Sequence, residues 1–350
     1  MDFILMLLQS GWDTLLDYLS LHVLTCLIPA LFIAGAISVF VSQASVLKYF
    51  GPKANKFVAY GVGAVSGTIL AVCSCTVLPL FSGIYVAGAG LGPAIAFLYS
   101  GPAINVMAIV YSARLLGWDI GLARVIGAVF FSVIIGLIMA YVFRKEEKAR
   151  SDGRFDTLSD AEKGKPWWQE IIFFAILVGI LLAASSAQWI ILAALFLALV
   201  IVLWRWFTLA EFKLWMIETW RFLLLIVPWL LIGVFIAGIL KAVIPPSAVA
   251  GLVGGNTIIG NFVASLFGAL MYFATLTEVP IVKAFLDMGM GKGPALALLL
   301  AGPALSLPSM LALGKIMGWK KTLTYVALVV VMATITGYIF GLIVQYYGGS

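Results

Sequence analysis

The chain contains one segment twice, and this duplication constrains its fold more than any other feature. A shift of 201 residues carries residues 67–118 onto residues 268–319, with 15 identities over 52 ungapped positions. Many of the identities are Gly or Pro, as in the tripeptides Gly101-Pro102-Ala103 and Gly302-Pro303-Ala304. Identity at a fixed spacing indicates a repeated structural unit. We therefore predict two halves that share one backbone fold.

The composition is typical of a membrane protein. The chain is 63% hydrophobic and 10% charged, with a mean hydropathy of +1.14, whereas soluble proteins are about half apolar and about a quarter charged. Apolar runs of about 20 residues, the length that spans a bilayer, recur along the chain. Backbone groups in lipid must be satisfied within the segment, which long helices achieve. We predict an all-α polytopic membrane protein.

Several classes of function are disfavoured. The net charge of +6 comes from Lys and Arg scattered over short loops, so we expect no nucleic-acid partner. Three cysteines and a single histidine, His22, favour neither a disulfide framework nor a resident metal centre. The N-terminus lacks the basic start and cleavage site of a signal peptide, and there is no phosphate-binding G-x-x-x-x-G-K-[ST] loop. We predict no cofactor and no ATPase engine.

Charge and apolar runs divide the chain into four parts. Residues 1–143 form the first transmembrane repeat, 144–165 a charged, flexible linker, 166–206 two connecting spans and 207–350 the second repeat. Within the first repeat we predict spans near 21–41, 57–72 and 120–143, a short helix over 76–87, and a helix over 93–116 broken at Gly101-Pro102. The second repeat follows the same order after an amphipathic lead-in over 212–220.

Basic residues at span ends mark the cytoplasmic side. This rule places the linker 144–165 inside the cell and the N-terminus outside, with Arg114, Arg124 and Lys241 as exceptions on the outer side. An odd number of crossings in each half then makes the two repeats inverted. Inverted repeats whose broken helices meet near the midplane are typical of secondary transporters.

Cys73 and Cys75 are the first candidate site residues. Two thiols two residues apart share one side of an extended or unwound backbone, and thiolates suit soft, thiophilic ligands. Ser74 and Thr76 flank them, and the other half has Ala274 and Leu276 at the positions of the cysteines. Alternatively, both cysteines are small buried hydrophobic residues. That is the interpretation we favour for Cys26.

Glu278 is the candidate proton carrier. It occupies the repeat position of Val77, beside a break in a membrane helix. A carboxyl group at membrane depth usually lines a pathway or carries a proton, because burial favours its neutral form. Alternatively, Glu278 lies at the interface and pairs with Lys283.

Other polar residues around the breaks are candidates for lining the site. Asn105 and Ser306 are repeat partners just after the two Gly-Pro segments, and Thr277 is the repeat partner of Thr76. Such side chains either contact a substrate or satisfy backbone groups that the break frees, and the second role is the commoner one. Further candidates of lower weight are Thr275, Tyr99 and Tyr272.

These motifs resemble a known family. Cys73-Ser74-Cys75 followed by Pro79, Gly-Pro-Ala at 92–94, and Ser-Gly-Pro-Ala-Ile-Asn at 100–105 are similar to the predicted permease family that includes the organoarsenical efflux permease ArsP. The likeness covers both halves, most sharply 67–118 and 268–319. It implies an inner-membrane permease. For the arsenical branch it also implies export of trivalent organoarsenicals through thiol contacts, carried over onto Cys73 and Cys75.

We therefore expect a secondary permease and not an enzyme. Its substrate is a small molecule or ion, exported through Cys73 and Cys75 with proton coupling at Glu278. If the cargo is a thiophilic metalloid, Cys73 and Cys75 bind it during transport and do not form a resident metal centre. One alternative is a sulfur-containing anion or a soft metal ion as cargo, because helix N-termini at the breaks suit an anion. A thiol-dependent intramembrane enzyme and a channel are further alternatives, and the sequence indicates no oligomeric state.

Overall fold

The computed structural model describes residues 2–19, 27–40, 55–70, 74–104, 106–155, 167–185, 188–243, 252–271 and 275–347. Within these ranges the regular structure is helical. The sixteen helices are α1 Asp2–Tyr18, α2 Ile28–Phe40, α3 Lys56–Leu70, α4 Ser74–Val86, α5 Leu91–Ala103, α6 Val106–Leu115, α7 Trp118–Val142, α8 Arg144–Phe155, α9 Trp167–Ser185, α10 Trp189–Trp206, α11 Leu209–Val243, α12 Ile258–Leu270, α13 Thr275–Asp287, α14 Lys292–Ala301, α15 Leu307–Ile316 and α16 Trp319–Tyr347.

Four of the described helices, α7, α10, α11 and α16, are long and apolar enough to cross a bilayer. A fifth crossing results if α5 and α6 form one span bent by 45° at its break. Exposed side chains on these helices are largely apolar, such as Ile126 and Phe130 on α7 and Ile190 on α10. Such surfaces are expected where lipid replaces water as the solvent. The predicted all-α, multi-pass architecture is confirmed at this level.

The helix bounds repeat with the same 201-residue shift as the sequence. The shift carries α4 onto α13 and α6 onto α15 without any offset, and carries the starts of α5 and α7 onto those of α14 and α16. The turns repeat as well. Gly88 and its repeat partner Gly289 have φ of 113° and 97°, and Gly117 and Gly318 have φ of 109° and 88°. Only glycine adopts these angles without strain, which explains the identities at the turns.

A close helix crossing also occurs once in each half. A Cβ built on Gly136 of α7 would lie 2.6 Å from the carbonyl oxygen of Gly92 on α5. A Cβ on the repeat partner Gly337 of α16 would lie 2.6 Å from the carbonyl oxygen of Gly293 on α14. Small residues let membrane helices approach this closely. The repeated glycines therefore fix the packing of each broken helix against the long helix that follows it.

The two halves share one core. A single cluster of buried side chains includes Phe81 and Tyr99 from the first half with Leu300 and Tyr325 from the second. Helix α7 packs against both α14 and α16, α6 against α13, and α4 against α15. The central contacts between the halves are therefore made by the repeated helices themselves.

Three buried polar side chains join the halves to the linker. Lys321 at the start of α16 donates hydrogen bonds to Glu147 Oε1 of α8 at 2.9 Å and to the Tyr85 hydroxyl of α4 at 3.1 Å. The Tyr85 hydroxyl donates to the same Glu147 oxygen at 2.9 Å. We call Tyr85, Glu147 and Lys321 the linker-side cluster. Its members belong to the first repeat, the linker and the second repeat.

Three local predictions are wrong. The linker begins as the helix α8, Arg144–Phe155, which follows α7 after one turn residue, and Lys321 binds Glu147 on this helix. Residues 156–165 of the predicted linker lie outside the described residues. The lead-in over 212–220 and the next span form the one helix α11, which tolerates Pro228 in its interior.

The predicted break in the 93–116 helix is present as a 45° bend between α5 and α6, but its predicted position is wrong. Helix α5 continues through Gly101-Pro102 to Ala103, since the Ile104 N–H still donates to the Ser100 carbonyl at 2.9 Å. In the second half α14 ends at Ala301, so that break begins at Gly302 as predicted.

We expect Gly136→Ala to destabilise the protein, because its Cβ would overlap the Gly92 carbonyl oxygen. Overpacking of this kind costs about 1–3 kcal/mol. Thermal melts of the purified protein in detergent should show a lower midpoint. Gly61→Ala on α3 is the matched control, since nothing lies within 4 Å of its added Cβ. An unchanged melting temperature for Gly136→Ala would contradict the close crossing.

Glu147→Gln should also destabilise the protein, because it leaves the Lys321 ammonium without its closest carboxylate. Removing one partner of a buried ion pair costs on the order of 3 kcal/mol. Glu146→Gln is the control, since the Glu146 side chain is 56% exposed and lies 3.6 Å from Lys321, and exposed pairs contribute about 0–1 kcal/mol. Equal melting temperatures for the two variants would show that the cluster contributes no stability.

Candidate functional site

The centre of the candidate site is a buried ion pair between the halves. Arg124 on α7 and Glu278 on α13 have side chains that are 0% and 2% exposed, and Arg124 Nη2 donates to Glu278 Oε2 at 3.3 Å. A charge at such a position is costly unless it is paired. In the described residues, Arg124 is the ion-pair partner of Glu278. Each half therefore supplies the counter-charge for the other.

Arg124 also holds the helix break of its own half. We call the junction between the end of α5 at Ala103 and the start of α6 at Val106 the first break. Arg124 Nε donates to the carbonyl oxygen of Ala103, the last residue of α5, at 3.0 Å. Its Nη1 donates to Ser112 Oγ on α6 at 3.0 Å, and Ser112 Oγ donates to the Ala108 carbonyl at 2.6 Å. The guanidinium group thus contacts both helices that meet at the first break.

Glu278 lies against the equivalent break of the second half. We call residues 302–306, between α14 and α15, the second break. A Cβ built on Gly302 would lie 3.3 Å from Glu278 Oε1. This oxygen is buried and has no hydrogen-bond partner among the described atoms. The Arg124–Glu278 pair therefore connects the first break to the second.

The two halves use the same positions with different chemistry. The 201-residue shift carries Arg124 onto Tyr325, and the Tyr325 hydroxyl donates to the Ala304 carbonyl at 3.3 Å, as Arg124 does to Ala103. It also carries Val77 onto Glu278. A Cβ on Gly101 would lie 3.1 Å from Val77 Cγ2, just as Gly302 adjoins Glu278. The repeat thus conserves the geometry of the break while one charged residue appears in each half.

Tyr99 on α5 adds an unused polar group beside this pair. Its side chain is fully buried, and its hydroxyl has no hydrogen-bond partner among the described atoms. It lies near enough to Arg124 to interact with it electrostatically. A buried hydroxyl without a partner costs roughly 1–3 kcal/mol. The site therefore contains a hydroxyl group without a partner among the described atoms, within electrostatic range of a guanidinium group.

The structure describes some of the predicted site residues. Glu278 is buried, and Lys283, the alternative partner, pairs instead with Asp287 on the exposed side of α13. Ser306 caps α15, where its Oγ accepts from the Ser309 N–H at 3.3 Å. Of the two roles predicted for Ser306, the structure shows the one that satisfies a backbone group freed at the second break. Thr76 is buried at the start of α4.

The remaining candidates lie partly outside the described residues. Cys26, Cys73, Asn105 and Tyr272 are not described, and for Ser74, Cys75, Thr275 and Thr277 only the helical backbone is described. Because α4 begins at Ser74, Cys75 lies in its first helical turn. The expectation that Cys75 lies on unwound backbone is therefore wrong, while Cys73 lies outside the described residues.

The charge rule predicts Arg124 as an exposed exception on the outer side of the membrane. The structure instead buries its side chain fully inside the protein. Its place in the second turn of a 25-residue apolar helix was the available signal, because a charged residue within a span usually faces a partner or a pathway. Its partner is 154 residues away along the chain.

The pair is occluded from solvent, and no group of His, Cys, Asp and Glu that would hold a metal ion occurs in the described part of the chain. A separate cavity of about 210 Å³ lies elsewhere, with wholly apolar walls. Its lining includes Ile37, Val62, Phe97 and Phe174. Access to the ion pair therefore requires the helices around the two breaks to move apart.

Comparison with known proteins finds a family and relatives that match nearly the whole chain. A family model described as a predicted permease, ArsP_1, matches residues 10–342. The UPF0718 protein MJ0584 of Methanocaldococcus jannaschii is 47% identical over 364 aligned positions, covering 99% of both chains. The UPF0718 protein YraQ of Escherichia coli is 22% identical over 94% of this chain and 81% of its own. No solved structure matches the chain.

We expect Arg124→Gln and Glu278→Gln to lower stability individually, by about 3–5 kcal/mol each, because each leaves a buried charge unpaired. The double variant removes both charges and should recover much of that loss. Thermal melts of the four proteins form a double-mutant cycle. Arg221 and Glu218 on α11 provide the control, since the Arg221 side chain is 76% exposed. A double variant as unstable as the sum of the single variants would argue against the pair.

Proposed function

The chain belongs to the ArsP_1 family of predicted permeases, and we propose that it is a secondary transporter that couples a thiophilic solute to a proton carried by Glu278. The observation that carries this proposal is the buried Arg124–Glu278 pair between the two breaks. An ionisable pair inside a membrane protein, connecting two movable parts, is typical of proton-coupled carriers.

We further propose that the two halves are inverted repeats. The linker-side cluster supports this, because Glu147, just after the end of α7, contacts Lys321 at the start of α16. The end of one long helix therefore lies beside the start of its repeat partner, as expected when the two run in opposite directions. Inverted repeats give alternating access by rocking one half against the other.

In this proposal the proton controls the contact between the halves. When the Glu278 carboxylate accepts a proton it loses its charge, and its attraction to Arg124 weakens. The electrostatic contact that joins the first break to the second is then lost. Loss of the proton re-forms the pair. The two protonation states therefore favour different arrangements of α7 and α13.

The proposed cargo site lies at the matching position of the other half. Cys75 lies in the first turn of α4, whose repeat partner α13 carries Glu278, and Cys73 comes two residues earlier in the sequence. A monosubstituted trivalent arsenical bearing two hydroxyl groups can form two As–S bonds, breaking two As–O bonds and releasing two waters. The reverse reaction releases it. The proposed substrate pathway is lined by Ser74, Thr76, Asn105, Ser306 and Thr277.

We propose that the protein lies in the cell inner membrane, with the linker inside and the N-terminus outside. One exception to the charge rule is removed, because Arg124 is buried and does not lie in a loop. For a trivalent organoarsenical we propose export. A sulfur-containing anion or a soft metal ion is the other cargo class that the two thiols suit.

The first experiment measures flux of a methylated trivalent arsenical in sealed vesicles, with and without a proton gradient. We expect gradient-dependent transport in the wild type and its loss in Cys73→Ser/Cys75→Ser. Glu278→Gln should abolish the effect of the gradient, because glutamine cannot carry the proton. Cys26→Ser is the matched thiol control and should transport normally.

The outcomes separate the parts of the proposal. Transport that persists in Cys73→Ser/Cys75→Ser would exclude the thiol site. Gradient-dependent transport in Glu278→Gln would exclude Glu278 as the proton carrier. Absence of arsenical flux in a folded, inserted wild type would exclude that cargo and direct the assay to thiosulfate and soft metal ions.

A further inference from the structure

Arg124 is held in place without help from Glu278. Its Nε and Nη1 groups donate to the Ala103 carbonyl and to Ser112 Oγ, both at 3.0 Å, and both acceptors belong to its own half. The guanidinium group will therefore stay at the first break when Glu278 moves away. It is a fixed positive charge rather than a mobile one.

The contact with Glu278 is incomplete for a permanent ion pair. It consists of one 3.3 Å hydrogen bond to Oε2, while Oε1 has no partner among the described atoms. Strong Arg–carboxylate pairs are usually bidentate, and buried ones have their remaining atoms satisfied. The neighbouring Tyr99 hydroxyl is also unpartnered. The site therefore offers more hydrogen-bond donors than Glu278 uses.

Protonation of Glu278 leaves the positive charge of Arg124 without a counter-charge at this site. The carboxyl group becomes neutral, but an arginine in a protein stays charged. A lone buried charge costs several kcal/mol, whereas a second ion of opposite sign offsets that cost. An anion with two or three oxygens, or a halide, matches the donors of a guanidinium group.

We propose that Arg124 and the Tyr99 hydroxyl form a binding site for a small anion, which takes the place of the Glu278 carboxylate when Glu278 is protonated. This inference rests on the proposed function, because it uses the same proton step, and it adds a second ligand to it. The anion is either the negatively charged group of the cargo or a free inorganic anion that accompanies the transport cycle. Both sources supply the same chemistry to Arg124.

Glu278 and Arg124 dominate the electrostatics of this site. Helix α13 packs against α6 and α14, and Arg124 approaches it from α7. On its own helix, Lys283 is paired with Asp287, and on α14 Lys292 is paired with Asp119. Helix α6 also carries Tyr111 and Arg114, and Arg114 is exposed. Two tyrosines on further helices interact electrostatically here: Tyr99 on α5 with Arg124, and Tyr325 on α16 with Tyr99.

The test measures binding of chloride and of thiosulfate to the full chain in nanodiscs of uncharged lipid. Lower pH protonates Glu278 and frees Arg124, so we expect anion affinity to rise as the pH falls. Where Glu278 is ionised in the anion-free protein, linkage of one proton gives roughly a tenfold change for each pH unit. In weakly buffered solution the wild type should take up about one proton for each anion bound, as that linkage requires.

Variants identify the residues that bind the anion and take up the proton. Glu278→Gln imitates the protonated form, so it should bind the anion at all pH values and take up no proton. Arg124→Gln/Glu278→Gln avoids an unpaired buried charge and should not bind. Tyr99→Phe should bind more weakly than wild type. The matched control is Arg221→Gln/Glu218→Gln, an exposed pair on α11, which should behave as wild type.

The two probes distinguish the source of the anion. Chloride binding that is unchanged in Cys73→Ser/Cys75→Ser indicates a free inorganic anion. Thiosulfate binding that requires both cysteines, without chloride binding, indicates the charged group of the cargo. Anion binding that survives in Arg124→Gln/Glu278→Gln, or that involves no proton uptake in the wild type, would overturn the inference. Because these assays measure no flux, such a failure beside intact gradient-driven transport would leave the proposed permease standing.

Discussion

Two opposite charges buried away from water are the constraint on which the centre of this protein depends. Neither Arg124 nor Glu278 has an ion-pair partner in its own half among the described residues. Correct assembly of the halves is therefore required before either charge is compensated. Both residues also adjoin helix breaks, where backbone groups need partners that lipid cannot provide. The pair thus links the integrity of each break to the packing of the other half.

The duplication preserves backbone geometry and allows the side chains to differ. Glycines at the turns and at the two close crossings repeat because a larger residue would strain φ or overlap a carbonyl. The neighbouring positions have no such restriction. There Val77 in the first half corresponds to Glu278 in the second, and Arg124 corresponds to Tyr325. All four side chains lie beside the break of their own half. One scaffold therefore carries two chemically distinct half-sites.

The sequence predicted what depends on local pattern and on repetition. The presence of a short helix in each half, the turns at Gly88 and Gly289 and the buried position of Glu278 all follow from the 201-residue shift or from hydropathy. The role of Arg124 did not follow, because its partner lies on a helix that only the tertiary packing brings near. Helix α8 was missed for a similar reason: its mixed charges favour solvent, yet Lys321 recruits Glu147 into a buried cluster.

Helix α7 connects two buried polar contacts, the Arg124–Glu278 pair and the linker-side cluster. Arg124 lies in its second turn, and Val142 at its other end is about 27 Å farther along at 1.5 Å per residue. Beyond Val142, Glu147 binds Lys321 and Tyr85. The ion pair and the linker-side cluster therefore lie near opposite ends of one rigid element. A tilt of α7 relative to α16 separates the groups at one end more than those at the other. In the proposed transport cycle a proton weakens the ion pair while the linker-side cluster stays intact. The tilt then has a defined direction, which is the asymmetry that the proposed alternating access requires.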